Sequence, residues 1–385
     1  MTGPSSFPLP APAEGRPDLL VIAGEHSGDA HAARLVRGLQ TRRPSLRVAA
    51  LGGPRLAAAG AQLLYDRTAL AVVGLAEVAR NLAFFRTLIG EVVRWIDTYR
   101  PGTVCFVDNS GVNLRIAEAL RLRGLSRKGG GPVRLLYYIS PQIWASRSAR
   151  RFDMARNLDA LAVIFPFEVG CYADTGLPVT FVGHPFLDPH YSAPVRHDAN
   201  GPVLLLPGSR PRAVGLIMPA LLGGYREFAR TAPGRRAVIL FPSAEIAAQL
   251  RALSLPAEVS LEPAADAAIA ASAVLTSSGT MSMQCALAGI PGAIAYRTDL
   301  LTYVIARWVV RVPYLGIANI LLGAPMYPEF IQGAATPAEL AAQLTECTTD
   351  PRRRETTAAQ ARELRAMLAN PAGRTEADWL AENLA

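Results

Sequence analysis

The chain alternates short apolar runs with longer stretches whose apolar residues recur at helical spacing. The short runs end at Gly, Pro, Asn or Asp, which predicts strands separated by helices. Leu19–Ala23 reads as a first strand and Asp29–Gln40 as its helix. Val48–Leu51 is a second strand, and Thr103–Val107 is another, followed by a helix over Leu114–Arg123. Arg134–Ile139, Ala160–Phe165 and Val179–Val182 continue the series. A polar stretch rich in Pro, His and Asn follows, and the pattern restarts with Val203–Leu206, Ala237–Leu240, Ala273–Thr276 and Gly292–Ala295. Alternation in both halves predicts an α/β protein of two Rossmann-like, doubly wound parallel-sheet domains. The expected division is a loose tail over 1–16, a first domain over 17–188, a linker over 189–202, a second domain over 203–345 and C-terminal helices over 346–385 that pack back across the cleft.

Ligands of such sheets sit at the carboxyl ends of the strands. Two loops in the second half stand there. Leu206-Pro207-Gly208-Ser209-Arg210 is one, and Thr276-Ser277-Ser278-Gly279-Thr280 is the other. Each is a small-residue turn feeding a helix, whose free N–H groups and dipole favour anions. Arg210 adds a bidentate donor suited to phosphate. No Walker lysine follows either loop, which argues against a P-loop NTPase. Ordinary βα turns would also contain Gly and Ser. The pair of loops together with Arg210 favours a diphosphate site.

In the first half, Gly24-Glu25-His26-Ser27-Gly28-Asp29 follows the first strand. Gly24 and Gly28 permit close approach of a ligand, and Ser27 or Asp29 could cap the following helix. No GxGxxG fingerprint is present, so this is not read as a dinucleotide site. Asp108 follows Val104-Cys105-Phe106-Val107 directly. A carboxylate at a strand end can act as general base toward a hydroxyl, or cap a helix. His26 and Asp108 leave two strands of one sheet, so the carboxylate could orient the imidazole if the two meet.

The composition narrows the partners. The chain has 385 residues, 50% apolar and 18% charged, which fits two globular domains. Its 39 Lys and Arg against 31 Asp and Glu give a net charge of +8, pointing to an anionic partner. The charge is dispersed, without the basic block of a nucleic-acid binder. Cys105, Cys171, Cys285 and Cys347 are widely spaced, against a disulfide framework or zinc site and in keeping with a reducing compartment. The first residues lack the basic start and apolar core of a signal peptide. The longest apolar run, Leu300–Leu322, is broken by Arg307, Arg311 and Pro313, so no spanning helix is expected. Val72–Ile96 is apolar with Arg80, Arg86 and Arg94 within it. It suits either docking on anionic lipid or a core-facing helix.

Taken together, the motifs resemble the lipid-A-disaccharide synthase family, over about Leu19 to Leu340. The resemblance is carried by Ala23-Gly24-Glu25-His26-Ser27-Gly28-Asp29, Gly53-Pro54-Arg55, Val73-Gly74 with Glu77-Val78, Tyr138-Ile139-Ser140-Pro141 with Trp144-Ala145, Phe165-Pro166-Phe167-Glu168 and Phe181-Val182-Gly183-His184-Pro185. In the second half it is carried by Leu206-Pro207-Gly208-Ser209-Arg210, Ser278-Gly279-Thr280, Ala295-Tyr296-Arg297, Val312-Pro313-Tyr314, Asn319-Ile320-Leu321 and Pro328-Glu329-Phe330-Ile331-Gln332.

The resemblance implies a GT-B glycosyltransferase with two Rossmann-like domains facing a cleft. It implies an inverting reaction that joins UDP-2,3-diacylglucosamine to 2,3-diacylglucosamine 1-phosphate (lipid X). The β-1,6 disaccharide of lipid A forms and UDP leaves, with no metal or other cofactor. The place would be the cytoplasmic face of the inner membrane of Gram-negative bacteria, as a peripheral protein on an anionic surface. No nucleic acid is involved, and a homodimer is compatible with the chain. The family's essential aspartate falls on Asp108, with His26 as its candidate helper. Substrate-binding positions fall on Gly24, Glu25, Ser27, Gly28, Asp29, Asn113, Ser140, Trp144, Glu168 and His184. The UDP half-site falls on Gly208, Ser209, Arg210, Ser278, Gly279, Thr280, Gln284, Tyr296, Asn319, Glu329 and Gln332.

The chain departs from the family pattern near this chemistry. Ser110-Gly111-Val112-Asn113 stands where Pro-Asp-Phe-Asn is usual, so a second acid is missing. His26 replaces an Ala, Ser146 a Trp, Ala213 or its neighbour an acid, and Gln284 a Glu that often meets the nucleotide ribose. Two alternatives follow: another GT-B enzyme using UDP-HexNAc, including an epimerase, or a non-catalytic binder of nucleotide sugar or lipid. An epimerase needs no lipid site, and intact Asp108, Arg210 and Asn319 weigh against a binder without activity.

Overall fold

The computed structural model describes residues 8–68, 78–264, 268–299, 303, 312–371 and 373–385, with 78–83 described as backbone only. The described chain divides into two units: Met1–Pro185 with Leu368–Ala385, and Phe186–Met367.

Unit 1 is built on a parallel sheet of β1 (Leu19–Ala23), β2 (Val48–Gly52), β3 (Gln62–Asp66), β4 (Thr103–Val107), β5 (Arg134–Tyr138), β6 (Ala160–Val163) and β7 (Val179–Phe181). Their order among the described residues is β3-β2-β1-β4-β5-β6-β7. Helices α1 (His26–Arg42), α2 (Pro54–Ala58), α3 (Val78–Tyr99), α4 (Ser110–Leu122) and α5 (Arg150–Asn157) connect the strands. Every residue of β1 and β4 is buried, as expected for parallel strands covered on both faces. Separate apolar clusters fill the two faces, one around Leu20, Phe106 and Tyr137, the other around Val21, Leu35 and Tyr138.

Unit 2 repeats the plan. Its main sheet has β9 (Val203–Leu206), β10 (Ala237–Phe241), β11 (Val259–Pro263), β13 (Ala273–Thr276), β14 (Gly292–Tyr296) and β15 (Glu329–Ile331). They run in the order β11-β10-β9-β13-β14-β15. Helices α6 (Pro211–Thr231), α7 (Ala244–Arg251), α8 (Thr280–Leu287), α9 (Ile317–Leu322), α10 (Pro337–Thr349) and α11 (Pro351–Leu368) belong largely to this unit. Both sheets show the doubly wound order, in which the winding reverses between the first strand and its inner neighbour.

Several segments differ from the sequence reading. The stretch 189–202, expected as a plain linker, contains β8 (Val195–His197), which pairs in parallel with β12 (Ile269–Ala271). Part of the expected loose tail is docked: Trp95 donates to the Pro10 carbonyl at 2.8 Å, and Leu9 packs on the core. The last helix, α12 (Glu376–Asn383), returns to unit 1 and buries Trp379 and Leu380 against the α1 side of the sheet. In the Val72–Ile96 stretch, residues 72–77 and the side chains of 78–83 lie outside the described residues. From Leu88 to Ile96 the apolar positions of α3 face the core, with Phe84, Phe85 and Ile89 half-buried against it. That part of the stretch is a core helix rather than a lipid face. Residues 300–302 and 304–311 of the Leu300–Leu322 run also lie outside the described residues. No described helix is long and apolar enough to cross a membrane.

Candidate active site

The site in unit 1 is the reversal point of its sheet. Ala23 of β1 lies beside Val107 of β4, so Gly24 and Asp108 leave the sheet side by side. A Cβ on Gly24 would overlap the Asn109 side-chain amide, which explains why glycine stands there. Gly28, in the first turn of α1, lies under Asp108: a Cβ there would sit 3.9 Å from the Asp108 Cβ.

Asp108 and Asn109 both take the left-handed conformation, with φ of 50° and 44°. Non-glycine residues adopt it at a cost and only where the surroundings enforce it. Here the Asp108 N–H donates to Tyr138 O at 3.0 Å. The Asp108 carbonyl accepts from the Tyr137 hydroxyl at 2.6 Å and from Asn113 Nδ2 at 2.8 Å. The main chain of Asp108 is thereby fixed. Burial raises the carboxyl's pKa; the Asn109 N–H opposes the rise and the charge of Glu25 adds to it.

Asn113, expected to touch substrate, is fully buried, and its amide also reaches the carbonyls of Ile22 and Val107 at 3.3 and 3.4 Å. It braces the turn that carries Asp108. Its Oδ1 accepts from Arg67 at 3.4 Å. Arg67 is a buried arginine whose pKa burial pulls down to about 10. Arg67 and Tyr137 escaped the sequence reading because neither lies in a recognisable motif.

His26 is the first residue of α1 and is exposed, as are Glu25 and Ser27. Among the described residues no direct hydrogen bond joins His26 to Asp108. Asp29 also differs from its expected substrate role. It is 1% exposed and accepts from the N–H groups of Gly53 (2.8 Å), Arg55 (3.0 Å) and Leu56 (3.2 Å). These are the free donors at the start of α2, so Asp29 is a helix cap supplied from another element.

Ser140, Trp144, Glu168 and His184 follow β5, β6 and β7. Ser140 Oγ is 2.7 Å from the Tyr172 hydroxyl. Glu168 is 1% exposed and accepts from Trp144 Nε1 at 3.3 Å and Phe165 N at 3.1 Å. Burial in this aromatic nest pushes its pKa up to about 7. Phe167 stacks on Phe165 at 5.8 Å and meets Trp144 edge-on at 5.5 Å. His184 packs on Phe165, and burial, helped by His31 and Arg34, pulls its pKa to about 3, keeping it neutral. Ser140, Glu168 and His184 are thus buried and engaged with protein; Trp144 remains half-exposed.

Unit 2 has its own reversal point, between β9 and β13, where Leu206 pairs with Thr276. Both loops singled out from the sequence stand there. Gly208 has a φ of 102°, and a Cβ would lie 3.1 Å from Ser277 Oγ. Ser209 and Arg210 are exposed, and Arg210 is the N-cap residue of α6, with Pro211 next. Gly279 caps α8, leaving Gly279 and Thr280 exposed and Ser278 half-exposed. A helix start and an arginine at adjacent strand ends form a fitting seat for a diphosphate.

The remaining expected UDP residues form a braced loop. Glu329 accepts from Leu315 N, Gly316 N and Asn319 Nδ2, each at 2.8 Å, and so caps α9. Asn319 is fully buried and exchanges hydrogen bonds with the Tyr327 backbone at 2.7 and 3.0 Å. Gln332, with a φ of 54°, bridges the Thr298 N–H (3.0 Å) and carbonyl (2.9 Å). Tyr296 ends β14 half-exposed. Gln284 donates through Nε2 to the Tyr191 hydroxyl, and its Oε1 is buried without a partner.

Comparison with known proteins bears on this arrangement. The sequence model of the lipid-A-disaccharide synthetase family matches residues 19–382. The chain belongs to the lipid-A-disaccharide synthase family. It is 34% identical to the lipid-A-disaccharide synthase of Geobacter metallireducens over 354 residues, covering 89% of this chain and 90% of that one. It is likewise 34% identical to lipid-A-disaccharide synthase 1 of Legionella pneumophila, covering 86% and 88%. Family membership makes it a glycosyltransferase of lipid A disaccharide synthesis.

Solved structures agree on the GT-B fold. The glycotransferase of kitacinnamycin has a TM-score of 0.60 at 18% identity, covering 96% of this chain and 100% of that one. The UDP-GlcNAc 2-epimerase of Neisseria meningitidis, solved with UDP-GlcNAc, has a TM-score of 0.59 at 12% identity, covering 94% and 97%. That likeness to an epimerase is one of fold alone.

Proposed function

We propose that this member of the family joins UDP-2,3-diacylglucosamine to 2,3-diacylglucosamine 1-phosphate (lipid X), giving the β-1,6 disaccharide 1-phosphate and UDP. Asp108 is the general base. Its carboxylate takes the proton of the acceptor's primary hydroxyl as that oxygen bonds to the donor's anomeric carbon. The bond from that carbon to the diphosphate breaks on the opposite face, so the configuration inverts. Arg210 and the start of α8 at Ser278–Thr280 take up the charge on the departing diphosphate. Gln284 meets the nucleotide ribose as an uncharged replacement for a carboxylate.

The observation that carries this reading is Asp108 itself. It stands at the reversal point of its sheet, its backbone is pinned in a left-handed turn, and burial makes its carboxylate a stronger base. His26 is assigned to the acceptor side, as an exposed neighbour rather than a partner of the base. The net charge of +8 suits an anionic membrane surface, on which the enzyme acts as a peripheral protein at the cytoplasmic face of the inner membrane.

Mass spectrometry of reactions containing the diacylated donor and lipid X tests the assignment. The expected product is the tetraacylated disaccharide 1-phosphate, formed only when both substrates are present. Product formed equally well from UDP-GlcNAc and an unacylated acceptor would contradict it.

A further inference from the structure

The outward side of the α4–α5 layer of unit 1 has a composition that the fold does not require. Residues 111–158 hold ten of the chain's 39 Lys and Arg but only Glu118 and Asp153 as acids, a local net charge of +8 that equals the charge of the whole chain. In sequence these cations are separated by apolar and glycine residues, and the fold gathers them. Helices α4 and α5 pack on the same face of the sheet, where Ile116, Leu120 and Met154 enter one core cluster. The turn Arg127–Gly129 packs against both helices. Arg121 near the end of α4 donates to Asn157 Oδ1 at the end of α5, at 2.7 Å.

The opposite sides of these helices face solvent. Leu122 is 69% exposed and Phe152 44%, the highest values for large apolar side chains among the described residues. Leu122 lies on the outer stripe of α4 with Arg115 and Glu118, where an amphipathic helix ordinarily carries polar residues. Arg123, Arg127 and Lys128 follow it, all exposed, and among the described residues none of the three has an acidic partner. The acids near Phe152 are already taken: Asp153 pairs with Arg156, and Asp174 with Arg151 at 2.6 Å. A single exposed apolar residue is ordinary. Two on adjoining helices, beside unpaired cations, match an interfacial membrane contact, in which apolar side chains enter the headgroup boundary and Lys and Arg meet lipid phosphates.

We propose that the outer face of α4, the turn Arg127–Gly129 and α5 is the docking surface for a leaflet containing anionic phospholipid. Leu122 and Phe152 enter the headgroup layer, and Arg123, Arg127 and Lys128 meet the phosphates. This rests on the peripheral-membrane reading given above and assigns it a surface. None of these five residues belongs to the proposed catalytic machinery, so the contact sets how much enzyme is at the membrane rather than the rate of the bound enzyme.

The test is co-sedimentation of the full chain with vesicles of phosphatidylcholine, with and without phosphatidylglycerol. The wild type is expected to bind only the vesicles that contain phosphatidylglycerol, and less as salt rises. Arg123→Gln, Arg127→Gln and Lys128→Gln together should weaken that binding at least about tenfold. Leu122→Ser with Phe152→Ser should weaken it about tenfold. All five side chains are exposed, so thermal unfolding of both variants is expected to match the wild type. Arg230→Gln, Arg251→Gln and Arg362→Gln together, which remove three exposed cations from unit 2, should leave binding close to wild type. Wild-type binding by either patch variant overturns the proposal. So does an equal loss in the unit 2 variant, since that would mark a response to total charge. A wild type that binds no anionic vesicle overturns the peripheral-membrane reading itself, and this inference with it.

Discussion

The Asn113 side-chain amide donates to the main-chain carbonyl of Asp108 at 2.8 Å, five residues back across the turn between β4 and α4. The proposed base is thus aimed by its backbone, and the amide that aims it is fully buried. Replacing Asn113 by Ala removes the buried amide shared by the carbonyls of Ile22, Val107 and Asp108, the last of which keeps the Tyr137 hydroxyl. The expected cost is roughly 1–3 kcal/mol of stability, measured by denaturant unfolding. The expected effect on catalysis falls on kcat more than on KM, because the carboxylate loses its direction rather than the substrate its contacts. Wild-type stability in Asn113→Ala would contradict the scaffold role.

The pH dependence of the reaction should carry the signature of Asp108. A base works ionised, so activity falls as pH drops through its pKa. Burial raises that pKa, so the acid limb of kcat/KM should lie above the ordinary carboxylate range. Glu25→Gln removes a like charge and should move the limb to lower pH. An acid limb unaffected by Glu25→Gln would argue against Asp108 as the titrating base.

Asp29 offers a separation of stability from catalysis. Its carboxylate caps α2 through three backbone N–H groups. Asp29→Ala should cost about 1–3 kcal/mol in unfolding free energy, with the KM values of the remaining folded enzyme close to wild type. A large rise in KM at unchanged stability would restore the substrate role that the sequence suggested.

Glu168 should imprint itself on stability rather than on rate. Its pKa is raised by burial from 4.5 to about 7, so the folded state holds a proton that the unfolded state releases between those values. The sign follows: its contribution is fully present below about pH 4.5 and is lost as pH rises through about 7. Glu168→Gln removes the titration. The difference in unfolding free energy between wild type and Glu168→Gln should therefore shift in favour of the variant from pH 4.5 to pH 7, and a difference independent of pH would refute it.

Much of this architecture was legible in the sequence, for a physical reason. Strands such as Leu19–Ala23 and Val203–Leu206 are buried on both faces and read as unbroken apolar runs. Edge strands such as Gln62–Asp66 and Val259–Pro263 carry polar residues and were not predicted. The three-residue pair of β8 and β12 is too short to show a period. The C-terminal helices were expected to pack back, but that Trp379 and Leu380 are the residues buried against the first unit is a long-range contact that local pattern does not encode. The candidate site divides similarly. Gly208–Arg210 and Ser278–Thr280 were visible because small residues mark strand-end turns. The tasks of Asp29 and Glu329 were not, because a carboxylate that caps a distant helix looks, in sequence, like one that meets a ligand.

The diphosphate seat can be weighed on its own. Arg210→Ala removes the exposed guanidinium at the start of α6 and should weaken UDP binding about tenfold or more, with stability within about 0.5 kcal/mol of wild type. Uridine, which lacks the diphosphate, should bind both proteins alike. Equal UDP affinity in Arg210→Ala would place the diphosphate elsewhere.

The central claim is that Asp108 is the base of lipid A disaccharide formation, and acceptor-dependent UDP release tests it most directly. Wild type and Asp108→Asn are compared with UDP-2,3-diacylglucosamine as donor, with and without lipid X, after both are shown to bind UDP equally. The account expects release that requires lipid X in the wild type and falls by about 10²–10⁴ in Asp108→Asn. Release by Asp108→Asn at the wild-type rate would contradict it.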